Sequence, residues 1–151
     1  MFQDNEKIEK VISEEGFYVG GIQGHSMEPM LNCDYDSVVI ISPSGRLEKY
    51  DVALYRANGK YVLHRVVKVL PDSYVFCGDN CDFLEKGIKD SDIIGVLSEV
   101  FKGEKKIDLK GRKYRAYCRR KVAGFYPRKA FRSVRRAVLA TARRIIKTKG
   151  R

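Results

Sequence analysis

Between residues 16 and 101 the sequence is a succession of short runs rich in β-branched and aromatic residues: FYVGGI, SVVIIS, DVALYR, YVLHRVVKVL, YVFCGD and IIGVLSEVF. Turn signals separate them, among them Pro43-Ser44-Gly45, Asn58-Gly59 and Pro71-Asp72. Runs of this length and composition predict strands, and no helical period intervenes between them. A chain of short strands without crossover helices pairs antiparallel, so the expected class is mostly β. Asn58-Gly59 between two such runs predicts a tight hairpin, because both residues tolerate positive φ. KKIDLKG predicts one more strand near residues 105–110.

Helical patterning is confined to the ends. Within residues 5–15, Ile8, Val11 and Ile12 share a face and Gly16 follows as a stop. Residues 113–124 and 128–148 form a second helical region, with Pro127 placed at the start of its second segment. There Phe131, Val134, Val138, Ala142 and Ile145 recur at steps of three or four, while Arg128, Lys129, Arg132, Arg136, Arg143 and Lys147 lie mostly elsewhere around the helix. The expected organisation is an N-terminal helix over 1–15, a β-rich body over 16–110 and a basic helical tail over 111–151.

Charge follows the same division. Residues 1–101 hold 10 Lys+Arg against 17 Asp+Glu, whereas residues 102–151 hold 20 against 2. An acidic body therefore carries a strongly basic tail. The 44% hydrophobic content is too high for a disordered chain. No apolar stretch approaches a membrane span, and MFQDNEKIEK has no signal-type apolar core. The expected location is cytoplasmic or peripherally membrane-associated. Cys33, Cys77, Cys81 and Cys118 are too few for a disulfide scaffold, and with two histidines their spacing fits no zinc motif. Cys77 and Cys81 bracket residues 78–80, where a disulfide would distort the turn, but reduced thiols are the expectation in a cytoplasmic chain.

Three motifs carry candidate chemistry: Gly24-His25-Ser26-Met27-Glu28-Pro29-Met30, Tyr61-Val62-Leu63-His64-Arg65-Val66 and Gly78-Asp79-Asn80. A hydroxyl on a Gly- and Pro-framed turn can be an exposed nucleophile flanked by backbone N–H donors, or can simply bond its own turn. A serine nucleophile needs a base. His25 is adjacent to Ser26 and points to the opposite face of an extended chain. His64 lies on the face of Val62 and Val66, where an imidazole must be hydrogen-bonded to be tolerated. It is either a structural histidine or the base. Asp79 is a candidate to orient it, or a turn residue bonding its own backbone, and Asp82 and Glu85 compete for the orienting role.

In this order the three motifs resemble the signal peptidase I superfamily of serine peptidases, closest to the histidine-using branch of archaea and the eukaryotic secretory membrane. Ser26-Met27-Glu28-Pro29 matches the family's Ser-Met-x-Pro. His64-Arg65-Val66 stands where bacterial signal peptidases and self-cleaving SOS repressors carry a lysine base. Gly78-Asp79-Asn80 matches the family's Gly-Asp-Asn, and Asp82 and Glu85 fall near a second family acidic residue. The resemblance spans about residues 16–101. It implies a coiled antiparallel β peptidase domain, with Ser26 as nucleophile, His64 as general base and Asp79 as its orienting carboxylate. The Ser26 N–H would contribute to an oxyanion hole. The substrate peptide would lie as an extended strand beside Gly24, Ser26 and Met27, with Gly20, Gly21 and Gly24 leaving it room.

The chain departs from the family at Tyr35-Asp36 and Tyr50-Asp51, where Gly-Asp is usual, and in having no membrane-spanning helix. The implied activity is that of a small serine endopeptidase that trims a leader or precursor peptide through an acyl-enzyme, with no metal or organic cofactor. The competing reading is a catalytically inactive or regulatory β domain. For residues 113–149 three roles are open: an amphipathic surface for anionic membrane, a helix packed on the acidic body, and, ranked third, a site for nucleic acid or an acidic peptide.

Overall fold

The computed structural model describes residues 5–127, 129–131, 133–135 and 139. It begins with helix α1 (Asn5–Glu15) and continues through β1 (Phe17–Gly21), β2 (Asp36–Ile41), β3 (Val52–Ala57), β4 (Lys60–Val69) and β5 (Tyr74–Cys77). Next come β6 (Glu85–Ile88), β7 (Ile93–Lys102) and β8 (Lys105–Lys106), and then helix α2 (Arg112–Ala123). The strands form one antiparallel sheet in the order β1-β2-β7-β3-β4-β5-β6, with β8 paired to β7. The mostly β class expected from the sequence is what the chain adopts.

Local chemistry accounts for the main joints. Ile8 and Ile12, one helical turn apart, are both buried, and α1 ends where the Gly16 N–H bonds the Ile12 carbonyl at 3.0 Å. Asn58 and Gly59 both take positive φ, at 51° and 72°, and close the β3–β4 hairpin with Ala57 opposite Lys60.

Alternation along β3 and β4 builds two apolar layers. Val52, Leu54, Tyr61 and Leu63 join α1 and the 22–31 segment in one cluster, while Ala53, Tyr55 and Val66 join Tyr74, Phe76 and Ile88 in the other. The four consecutive buried residues of β3 reflect a strand covered on both faces.

Two strands depart from the expectation. β6, of sequence EKGI, has two charged residues and a glycine and gives no β pattern; it forms as an edge strand by pairing with β5. The expected strand at 105–110 is only Lys105–Lys106. The Ile107 N–H still reaches the Val100 carbonyl at 2.9 Å, but the Asp108 carboxylate then accepts the Lys110 N–H at 2.8 Å and turns the chain away.

Helical backbone resumes over 125–127 and is present in the described residues 129–131, 133–135 and 139. Of the apolar stripe expected over 128–148, Phe131 and Val134 are described and exposed, whereas Val138, Ala142 and Ile145 lie outside the described residues. No helix among the described residues is long and apolar enough to cross a membrane.

Candidate active site

Strand β4 sets up the site through register. On one side, all of Lys60–Arg65 pairs with β3; on the other, β5 joins only from Arg65 onward. Among the described residues, the Lys60–His64 stretch therefore has one edge without a strand partner. A cleft of about 300 Å³ opens there, lined by Ile22–Met27 on one side, Lys60–His64 on the other, and Phe83 and Glu85. Ser26, half-buried, and His64, nearly buried, thus face one space.

The Ser26 turn is pinned from the β5–β6 loop. The Asn80 N–H bonds the Ser26 carbonyl at 2.8 Å, and its side-chain amide donates to the His25 carbonyl at 3.1 Å. Gly78 makes this approach possible. A Cβ there would sit 2.6 Å from the Ser26 carbonyl oxygen, 2.6 Å from the Cys81 sulfur and 2.9 Å from His64 Nε2. Only glycine fits between the serine turn and the imidazole. The Gly24 and Met27 expected beside Ser26 also line the cleft, although the Met27 side chain is buried in the core.

His64 meets its carboxylate at Glu85. Nδ1 lies 2.7 Å from Glu85 Oε2 and 3.3 Å from the Tyr55 hydroxyl, which itself donates to the same Glu85 oxygen. Burial works against a charged imidazole, but the Cys81 sulfur and the Glu85 carboxylate outweigh it and hold His64 up at about 9. Burial pushes the Glu85 carboxyl up, yet the bonds from His64 and Tyr55 leave it below its ordinary value. Burial and the Glu85 charge raise the Tyr55 phenol, so it stays a donor.

Asp79, the carboxylate expected on His64, serves Arg65 instead. Arg65 Nε and Nη2 donate to its two oxygens at 2.8 and 2.7 Å, and Tyr117 adds a bond at 2.8 Å. The reason is alternation: neighbours on a strand face opposite ways, so an acid placed for Arg65 is on the wrong side for His64. Asp82 lies in the loop before β6 and is not part of the cleft lining. His25 is exposed and bonded to Glu28 at 2.7 Å, which holds its imidazole above the ordinary value.

Sequence reasoning missed Tyr55 and the role of Arg65. A signal for Tyr55 was present: the Asn58-Gly59 hairpin fixes Ala53 opposite His64, which makes Tyr55 its diagonal neighbour on the same face.

The departure at Tyr50-Asp51 also has a structural counterpart. Tyr50 takes a φ of 86°, the left-handed conformation glycine would favour. Its carbonyl accepts from Arg65 Nη1 at 3.0 Å.

Among the described residues, no cluster of three His, Cys, Asp or Glu side chains could hold a metal ion, and none of the four cysteines is in a disulfide. No family model matches the chain, and no curated protein matches it.

Proposed function

We propose that this protein is a serine endopeptidase similar to the signal peptidase I superfamily, with Ser26 as nucleophile, His64 as general base and then acid, and Glu85 as the orienting carboxylate. The observation that carries the reading is one cleft lined by Ser26, His64 and Glu85, with the carboxylate on Nδ1 and with Nε2 beside Gly78, whose backbone also abuts the Ser26 carbonyl and the Cys81 sulfur.

In this mechanism a substrate peptide lies extended along the open edge of Lys60–His64, opposite Ile22–Gly24, and adds a strand where β5 is missing. Ser26 Oγ attacks the scissile carbonyl as neutral His64 takes its proton at Nε2. His64 returns the proton to the leaving amine, and the acyl group stays on Ser26. A water then gives a proton to His64 and attacks the ester, and His64 passes that proton to Ser26 Oγ as the ester bond breaks, releasing the acid and regenerating Ser26. Glu85 and Tyr55 hold the tautomer with the proton on Nδ1, and Glu85 stabilises the imidazolium.

The test is intact mass after incubation with a penem-type acylating probe. The wild type should gain one adduct, and Ser26→Ala and His64→Ala should gain none. A folded wild type that takes no adduct from several probe shapes fails the reading.

A second reading for the tail has its own observation. Tyr126, Phe131, Val134 and Leu139 are all exposed on a segment dominated by Lys and Arg. Exposed apolar residues among basic ones suit an anionic bilayer, to which they would bring either a peptidase or a silent β domain. Co-sedimentation with phosphatidylglycerol vesicles but not phosphatidylcholine vesicles is the expected result. Binding to nucleic acid without vesicle binding would refute it.

A further inference from the structure

The basic C-terminal segment meets the body through apolar and polar contacts: Phe125 and Cys118 are buried, and Tyr114 and Tyr117 pack against the core. Within α2 only Cys118 is fully buried. Its inward residues converge on the buried Arg65–Asp79 pair. Arg65 Nη1 donates to the Tyr114 hydroxyl and contacts the Cys118 sulfur, each at 3.1 Å. The Tyr117 hydroxyl donates to Asp79 Oδ2 at 2.8 Å, and Lys121 Nζ donates to the Asp79 backbone carbonyl at 3.1 Å. That carbonyl belongs to the peptide whose N–H, on Asn80, bonds the Ser26 carbonyl at 2.8 Å. One peptide group is thus held by α2 on its oxygen and by the serine turn on its nitrogen. Gly78, one residue earlier, is pressed between Ser26 and His64 Nε2.

We propose that α2 is a positioning element of the active site, with Tyr117 and Lys121 fixing the 78–80 turn against which Ser26 and His64 are set. Neither residue lines the cleft, so neither touches a substrate there. Their effect passes through the Asp79–Asn80 peptide. Lys121 holds the peptide oxygen and Tyr117 the Asp79 carboxylate, so loss of both loosens the 78–80 turn on its α2 side and lets the serine turn shift with it. A misplacement of about 1 Å at a reacting centre lowers rate roughly 100-fold. The kinetic consequence rests on the peptidase reading; the structural consequence rests on the hydrogen bonds alone.

The experiment compares the full-length wild type with Tyr117→Phe, Lys121→Arg and the double variant Tyr117→Phe/Lys121→Met. Three quantities are measured: amide exchange at Asn80, acylation of Ser26 by the penem probe over a concentration series, and the urea unfolding midpoint. The double variant should exchange the Asn80 amide at least about ten-fold faster and lose about ten-fold or more in saturating acylation rate, with half-saturation unchanged. Lys121→Arg should stay near wild type, because it keeps a cationic donor. Tyr117→Phe keeps the ring and removes one bond, so it should fold and show an intermediate effect. Unchanged Asn80 exchange in the double variant overturns the proposal. So does a shift in unfolding midpoint with acylation per folded molecule unchanged. If the wild type takes no acyl group, the peptidase reading fails by itself, and Asn80 exchange still decides whether α2 holds the turn.

Discussion

Replacing Glu85 by Gln isolates the charge that faces His64 while keeping the shape of the side chain. His64 stands at about 9 rather than 6.5. That displacement corresponds to roughly 3 kcal/mol of preference for the imidazolium, at about 1.4 kcal/mol per unit. Glu85 shares it with Cys81 and works against burial, so Glu85→Gln should bring the titration of His64 down by about one to two units.

A base must be neutral to act. At pH 7 only about one His64 in a hundred is neutral in the wild type, and its acylation rate should climb with pH toward about 9. In Glu85→Gln the limb moves to lower pH. The plateau falls as well, by about 100-fold or more, because the tautomer and the imidazolium lose their support.

Stability follows the same pair. His64 is raised on folding, so its contribution is complete below its unfolded value of 6.5 and is lost as pH rises through about 9. Glu85 is lowered on folding, so its contribution is present above its ordinary value of 4.5 and is lost in acid. The two describe one interaction, so the wild type should exceed the variant by about 2 kcal/mol between roughly pH 4.5 and 6.5, with the difference shrinking as pH rises toward about 9 and as it falls into acid. Stopped-flow acylation against pH and urea unfolding at several pH values read these quantities. A variant whose rate limb stays near 9 would refute Glu85 as the source of the shift.

Asp79→Ala leaves the Arg65 guanidinium buried without its carboxylate and should destabilise the fold by about 3–5 kcal/mol in urea, well beyond Glu85→Gln. Equal losses in the two variants would contradict the division of roles between the two acids. Gly78→Ala forces a methyl against the Ser26 carbonyl and His64 Nε2, so acylation should fall at least about 100-fold even where the protein remains folded by circular dichroism. Full acylation in that variant would show that the turn and the imidazole are not packed as described. Tyr50→Gly relieves a left-handed φ and should stabilise the protein by up to about 1 kcal/mol. A lower urea midpoint would mean that the ring's contact with the Lys49 ammonium outweighs the strain.

How far the fold could be read depended on whether the signal was local. The β3–β4 hairpin was written in Asn58-Gly59, and α1 in the spacing of Ile8 and Ile12. β6 was not legible, because Glu85-Lys86-Gly87 takes its strand conformation from pairing with β5 rather than from any preference of its own. The loss of Asp108–Lys110 from the last strand turns on a single side-chain bond that competes with the ladder. At the site, Ser26 and His64 were named by their motifs. The sequence put Asp79 first and kept Asp82 and Glu85 open as the acid on His64; the structure sets Glu85 on His64 and Asp79 on Arg65, because only the face of the strand separates them. That separation was available in principle: consecutive His64 and Arg65 must look in opposite directions.

The adjacency of His64 and Arg65 gives the sheet two ionic sites back to back, and their geometry assigns them different work. Arg65 is fully buried, and its donors are spent on Asp79, the Tyr50 carbonyl, Tyr114, and the sulfurs of Cys118 and Met30. A group with every donor engaged and no access to solvent cannot exchange a proton with a substrate; it fixes β4, the 78–80 turn and α2 relative to one another. His64 is engaged at Nδ1 by Glu85, while its ring lines the cleft and Nε2 lies beside Gly78, in the turn that is hydrogen-bonded to the Ser26 carbonyl. One nitrogen is held by a carboxylate and the other lies beside Gly78, so under the proposed function Nε2 is the nitrogen that would move the proton. The Gly-Asp-Asn motif therefore supports the site through both backbone and side chains. Gly78 admits the imidazole, the Asn80 N–H holds Ser26, and the Asp79 carboxylate, bound to Arg65 on the far side, keeps both in place.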